Sequence, residues 1–259
     1  MKIGVLIKQV PSTESAFRPS EQETWIDDAQ IQYEMNESDS FALEEALLIK
    51  ESQGAGEIVV VCMGPSLRAP RVIREALAKG ADRAIHIVEE DPFETDPYQV
   101  ANILSDCVEK ESFDLIFSGL QSVDLGMGQT GILLGAMLGM STATLAMATE
   151  VKENKIRVKR ELESGWFQWV TLPLPACISI QSGINTPRYP SLRGIMGAKK
   201  KEIKTTNKAD LDLKDSLQKV IRIYNMETDK QTEFIDGDPD SQVARLLKIL
   251  QTEVKVLGA

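Results

Sequence analysis

The sequence predicts an α/β fold built on a doubly wound, mostly parallel sheet, with an added antiparallel hairpin and an extended C-terminal tail. Three observations carry this reading. Short apolar runs rich in β-branched residues alternate with helical patterns over roughly the first 140 residues. The runs are nearly continuous rather than alternating in and out, as strands covered on both faces require. After Gly139 the texture changes to polar–apolar alternation around a turn, the signature of antiparallel pairing.

Taken in order, Gly4–Ile7 reads as the first strand and Ser40–Ser52 as a helix, with Phe41, Leu43, Ala46, Leu47 and Ile49 on its apolar positions. Asp39 or Ser40 can cap that helix, and Gly54 follows its end. Ile58–Cys62 is the second strand, Pro70–Lys79 a helix stopped by Gly80, and Ala84–Val88 the third strand. Asp96–Pro97 supplies a cap with Pro at the first helical position, so a helix runs to Glu111 before the strand Leu115–Phe117. Lys155–Arg160 and Trp166–Val170 pair around Glu163–Gly165, and Ala176–Ile180 rejoins the main sheet. Residues 181–205 read as irregular, Asp210–Tyr224 is weakly patterned, Phe234–Asp240 is a turn, and Ser241–Leu250 is a short amphipathic helix. The expected division is a nucleotide-binding α/β domain over 1–205 and a C-terminal arm over 206–259.

A chain of 259 residues, 42% of them hydrophobic, can bury a sizeable core without disulfides or metal. Its formal charge of -10 argues against nucleic acid and anionic membranes as partners. Cys62, Cys107 and Cys177 lie far apart, so neither a disulfide framework nor a metal site is expected. No run approaches membrane-spanning length, and the opening apolar stretch is too short for a signal peptide. The expected compartment is the cytoplasm, or the mitochondrial matrix for a form that has lost a transit peptide.

Catalytic constellations are missing from the sequence. His86 is the sole histidine and sits inside an apolar strand, where a structural role is the simpler reading. There is no GxSxG elbow, no Gx4GK[ST] phosphate loop, and no GxGxxG after the first strand. The informative stretch is Ser118–Gly131, which follows the fourth strand and opens a helix. Its glycines, Gly119, Gly126, Gly128 and Gly131, permit close backbone approach, and free N–H groups at a helix start favour a phosphate. A small-residue helix opening packed on the sheet is the plainer alternative. In a doubly wound sheet this loop lies at the carboxyl edge, where ligands bind. Leu6–Lys8, Asn36–Asp39 and Met63–Pro65 should reach the same edge, although Asn36, Ser38 and Asp39 serve equally as caps.

The segment from Asn185 to Lys204 gathers six cations, Arg188, Arg193, Lys199, Lys200, Lys201 and Lys204, beside Leu192, Ile195 and Met196 on an otherwise acidic chain. An aliphatic anchor ringed by cations suits an acidic protein partner. A solvated basic loop with its aliphatic residues tucked inward is the alternative.

These residues resemble the β subunit of an electron-transfer flavoprotein. The resemblance covers about the first 205 residues and rests on Val5–Pro11, Asn36 with Ala42–Leu47, Gly64–Pro65, Ala76–Arg83, Gln129–Gly131, and Pro187–Tyr189 through Ile195–Met196 to Ala198–Lys201. It implies a Rossmann-like domain paired with an α subunit that carries redox-active FAD. The pair would be a non-catalytic carrier taking electrons from acyl-CoA dehydrogenase-type donors to a quinone-linked oxidoreductase. It also implies an AMP with no redox role, bound by Leu6, Asn36, Glu37, Ser38, Asp39 and Met63 together with Gly119, Gln121, Val123, Asp124, Leu125, Gly126, Met127, Gly128, Gln129 and Thr130. A recognition loop over 181–203 would dock donors through Leu192, with Arg188, Tyr189, Arg193, Ile195, Met196, Lys199 and Lys200 around it. Bifurcating relatives hold a second FAD in place of AMP and use NADH. The sequence Lys8–Pro11 resembles their opening, so AMP and a second FAD stand as alternatives. A stand-alone nucleotide-binding sensor is a third.

Overall fold

The computed structural model describes residues 1–90, 95–211, 213–226 and 232–256. In chain order its elements are β1 (Lys2–Ile7), β2 (Gln9–Pro11), β3 (Tyr33–Met35), α1 (Glu37–Gln53), β4 (Glu57–Gly64), α2 (Ala69–Lys79), β5 (Arg83–Val88), α3 (Pro97–Val108) and β6 (Leu115–Gly119). There follow α4 (Thr130–Met137), β7 (Ser141–Lys152), β8 (Lys155–Glu161), β9 (Phe167–Pro173), β10 (Ala176–Ile180), α5 (Leu192–Ala198), β11 (Ile203–Asn207) and α6 (Pro239–Thr252). One nine-stranded sheet runs in the order β11-β5-β4-β1-β6-β10-β7-β8-β9, and β2 and β3 form a separate antiparallel pair. The expected α/β class with a mostly parallel sheet and an added hairpin holds.

Side-chain parity sets the layers. Ile3, Val5 and Ile7 on β1, with Ile58, Val60 and Cys62 on β4, pack with Leu43, Ala46 and Leu47 of α1 and with Ile73 and Leu77 of α2. Leu6, Val59 and Val61 pack with Ala101, Ile103 and Leu104 of α3 and Leu134 of α4 on the opposite face. Both faces of the central strands are thus covered, and this is why those strands read as unbroken apolar runs. From β1 the chain winds outward through β4 to β5, then crosses back to β6 on the other side of β1. The winding therefore reverses between β1 and β6, and a crevice forms at their carboxyl ends.

Four details depart from expectation. α1 begins at Glu37, one turn before Ser40, and neither Asp39 nor Ser40 caps it: Asn36 holds the cap position and makes no side-chain cap bond. The segment 181–205 is not wholly irregular, since it contains α5 and most of β11, whose backbone pairs in parallel with β5 from Ile203↔Ala84 to Asn207↔Val88. β7 is a twelve-residue strand that pairs in parallel with β10 over its first part and antiparallel with β8 over its second. A register shift between Ala146 and Ala148 marks the change. The β2–β3 pair is the last of these elements absent from the sequence reading.

At the far margin of the sheet, β8 and β9 form a ribbon. Arg157 and Lys159 lie 4.1 Å from the ring centres of Trp169 and Phe167 respectively, and Trp166 is exposed. The chain forms two compact units, residues 1–223 and 224–259. In the second, Asp238 Oδ1 accepts from Ser241 N at 3.1 Å to cap α6, with Pro239 in the first turn.

Candidate functional site: a cleft at the β1–β6 edge

The cleft opens where β1 and β6 end. Its floor is apolar: Leu6, Val61 and Met63 rise from the sheet, and Val100 and Leu104 face them from α3. The wall opposite is the loop from Ser118 to Gln129, leading into Thr130 and Gly131 at the start of α4. Thr95, Asp96 and Pro97 close one end beside the start of α3.

The loop is held from below by side chains of the β3–α1 junction. Asn36 Nδ2 donates to Gln121 O at 3.0 Å, and its Oδ1 accepts from Val123 N at 3.1 Å. Ser38 Oγ donates to the same Gln121 carbonyl at 2.8 Å. Asp39, buried within the first turn of α1, accepts from Lys8 N at 2.7 Å and from Gly119 N at 3.0 Å. One carboxyl group therefore ties the end of β1 to the end of β6 across the reversal. Burial pushes the Asp39 carboxyl up to about 7 against the opposing pull of these N–H donors and of Lys8. Gly119 is obligatory here, because a Cβ would lie 2.2 Å from Ser38 Oγ and 2.3 Å from Asp39 Oδ1.

From above, Lys8 reaches over the cleft. Its Nζ pairs with Asp124 at 2.7 Å and approaches Ser122 Oγ at 3.4 Å. Asp124 also accepts from Leu125 N at 2.7 Å, which fixes the loop tip. Gly126 and Gly128 both take left-handed backbone angles, with φ near +62° and +63°, so the turn requires residues without a Cβ penalty. The N–H groups of the first turn of α4 have no intrahelical acceptor. Beneath that turn the hydroxyl of Ser118 is buried without a protein partner, and a Cβ on Gly131 would strike it at 2.2 Å. An apolar floor suits a planar base. A helix start beside a spare hydroxyl suits an anionic, hydroxyl-bearing group, so these residues fit a nucleotide.

The second feature is α5. Leu192 is 82% exposed and Tyr189 94%, with Ile195 and Met196 also at the surface. Arg193, Lys199, Lys200 and Lys204 are exposed around them. Arg188 is not a free cation: it binds Glu44 at 2.8 Å and Glu51 at 2.5 Å and so anchors the segment to α1. Its own pKa rises through those bonds.

Comparison with known proteins decides the family. The electron transfer flavoprotein domain matches residues 24–211. The electron transfer flavoprotein subunit beta of Methylophilus methylotrophus is 38% identical over 260 residues, spanning 96% of this chain and 98% of its own. That of Bacillus subtilis is 33% identical, covering 99% of this chain and all of the relative. That of Homo sapiens is 35% identical over 214 residues, covering 82% and 83%. The chain belongs to the electron transfer flavoprotein family, and it is similar to the beta subunits. The family match takes in α5 and all of the cleft except Leu6, Ile7 and Lys8, which precede residue 24, and α6 lies beyond its other end.

The predicted ligand residues divide into three groups. Leu6, Met63, Gly119, Gln121, Leu125 and Met127 line the cleft, as do Gly128, Gln129 and Thr130. Asn36 and Asp39 line it too, but their polar atoms are spent on the loop backbone. Ser38 and Asp124 act on the loop, Gly126 shapes its turn, and Glu37 and Val123 are exposed. The sequence reading missed Asp96, Val100 and Leu104. The signal was available, because the helix capped by Asp96 begins at the same sheet edge. His86 is buried, with Nε2 3.0 Å from Gly64 O, as a structural histidine would be. Among the described residues no cluster of His, Cys, Asp or Glu could hold a metal, and no helix is long and apolar enough to cross a membrane.

Proposed function

We propose that this chain is the β subunit of a heterodimeric electron carrier, pairing with an α subunit and holding a structural AMP in the β1–β6 cleft. FAD, held mainly by the α subunit, supplies the electron-transfer chemistry. This chain binds and positions. Leu6, Val61, Met63 and Val100 take the base, the start of α4 and the Ser118 hydroxyl take the ribose-phosphate, and Lys8 with Asp124 holds the loop closed above. α5 presents Leu192 to acyl-CoA dehydrogenase-type donors, with Arg193, Lys199 and Lys200 steering an acidic partner. Electrons then pass to a quinone-linked oxidoreductase. The arm from residue 206 onward packs on the α subunit in this reading.

The observation that carries the proposal is the cleft itself, with its apolar floor, an N-terminal helix turn and an unpartnered buried hydroxyl in one wall. Co-expression with the α subunit, denaturation of the purified complex and chromatography of the released nucleotides test it. One FAD and one AMP per heterodimer is the expected result. Two FAD with no AMP would replace it with a bifurcating subunit that uses NADH. A chain that stays monodisperse and nucleotide-loaded without any α subunit would make it a sensor.

A further inference from the structure

α5 is seven residues long and contains Gly194 and Gly197. A helix this short, weakened twice by glycine, does not persist on its own propensity. It also carries its largest apolar side chains outward: Leu192, Ile195 and Met196 are exposed, and among its residues only Ala198 is buried. Packing of an apolar face therefore does not explain why the segment is helical. The explanation lies in polar groups that fasten its backbone to α2.

Lys201, just after α5, turns its ammonium inward. Its Nζ donates to Leu77 O at 2.9 Å and to Ala81 O at 2.5 Å, two carbonyls at and just beyond the end of α2. A cation is favourable at that end of a helix, where carbonyls lack intrahelical donors. Arg74 reciprocates from within α2, with Nη1 donating to Ala198 O at 2.5 Å and to Lys201 O at 3.0 Å, carbonyls at and just beyond the end of α5. The two helices exchange cations and carbonyls in both directions. Between these contacts the backbones touch at Gly194, where a Cβ would lie 2.2 Å from Ala78 O. Beyond them Ala84 N donates to Glu202 O at 3.0 Å, which leads directly into the β11–β5 pairing. At the front of α5, Ser191 Oγ accepts from Gly194 N at 3.0 Å.

We infer that Lys201 is a positioning residue for donor docking: with Arg74 and the close approach at Gly194, it fixes α5 against α2 so that Leu192, Ile195 and Met196 stand in their docking array before a partner arrives. The inference rests on the docking reading of α5 proposed above and deepens it. A partner binds only the helical form of the segment. If that form were a minor state, the apparent affinity would fall in proportion to its population. Fastening the segment in advance removes that loss, and the side chains need no ordering on contact. Among the six cations of the segment, Lys201 thus differs from its neighbours Lys199 and Lys200. Their charges face solvent and can steer, whereas its charge is spent inside the subunit.

The test uses the purified heterodimer and an acyl-CoA dehydrogenase reduced by its own substrate. Lys201→Met keeps the stem and removes the ammonium, and Gly194→Ala forces the backbones apart while leaving every charge in place. Amide hydrogen exchange over residues 192–198 reads the positioning directly, and steady-state transfer reads its consequence. Both variants are expected to speed exchange in that segment by about tenfold. They should raise KM for the reduced dehydrogenase as the reciprocal of the helical fraction that remains, about tenfold for a variant whose exchange approaches that of an unstructured segment, with kcat and bound flavin unchanged. Leu192→Ala should raise KM with exchange unchanged. Unaltered exchange in both α5–α2 variants would overturn the positioning role. Exchange as fast as in an unstructured segment with an unaltered KM would overturn its link to docking, provided Leu192→Ala raises KM. An unaltered KM in Leu192→Ala would instead overturn the docking reading, and this inference with it.

Discussion

Replacing Asp39 by Asn tests whether burial or hydrogen bonding controls the carboxyl that joins β1 to β6. The group is 6% exposed and accepts N–H bonds from Lys8 and Gly119 at 2.7 and 3.0 Å. Those donors favour the carboxylate, yet burial outweighs them and raises the group from 3.8 to about 7. The folded protein therefore holds a proton that the unfolded chain releases above pH 4. The stabilisation is complete below about pH 4, declines as pH rises, and is gone above about 7. One proton gives a slope of at most about 1.4 kcal/mol per pH unit, so roughly 2 to 3 kcal/mol is lost between pH 5 and 7. The variant's amide does not titrate. It offers one acceptor oxygen and turns its NH2 toward the second N–H, a fixed cost of about 1–3 kcal/mol from one unpaired donor. Urea unfolding followed by circular dichroism at pH steps from 5 to 8 measures both chains. The stability gap between wild type and Asp39→Asn should be largest at pH 5 and shrink by about 2 kcal/mol by pH 7. Parallel pH profiles would refute the reasoning, for they would mean that the two N–H donors keep Asp39 ionised throughout.

Four further outcomes follow from the same geometry. Gly119→Ala places a Cβ against Ser38 and Asp39 and should destabilise the chain by about 1–3 kcal/mol, measured as a lowered Tm. Arg188→Met strips the guanidinium from the buried Glu44 carboxylate, leaving it the backbone N–H of residue 188, and should cost about 3 kcal/mol, whereas the double change with Glu44→Gln should recover much of it. Leu192→Ala should slow electron transfer from a reduced dehydrogenase at limiting concentration without changing bound flavin, read by stopped-flow absorbance. Lys8→Met releases Asp124, so amide exchange over 121–129 should rise and bound nucleotide should leave faster during dialysis, with Tm nearly unchanged.

Much of the fold was legible because the central strands obey one rule. β1, β4, β5, β6 and β10 are buried on both faces, and a doubly covered strand has no choice but an apolar run. β11 was not legible, since an edge strand with the sequence Ile203-Lys204-Thr205-Thr206-Asn207 buries too little to show a pattern. β7 failed for another reason. It changes partners at a bulge, and Leu145 takes a φ of +58°, so no single period runs through its twelve residues. α5 carries little helical signal beyond the cap at Ser191, because side chains outside it, Lys201 and Arg74, supply what its own sequence lacks. At the cleft, Asn36 and Asp39 were placed at the correct edge. Their bonds run to Val123 and Gly119, 87 and 80 residues away, and sequence spacing cannot distinguish a local cap from a long-range tie.

The ribbon at the far margin of the sheet sets a limit on how this chain can accumulate. β9 is the last strand, and one side of its backbone has no strand partner among the described residues. An open edge is a template for another open edge, and Trp166, Phe167 and Trp169 add sticky area to it. Arg157 and Lys159, lying on the rings, slow such encounters by repelling the same cations on a second copy. Collision between identical edges is second order, so losses of this kind rise with the square of the uncovered concentration. Doubling the concentration of chains whose β9 edge is uncovered would quadruple the rate of such encounters.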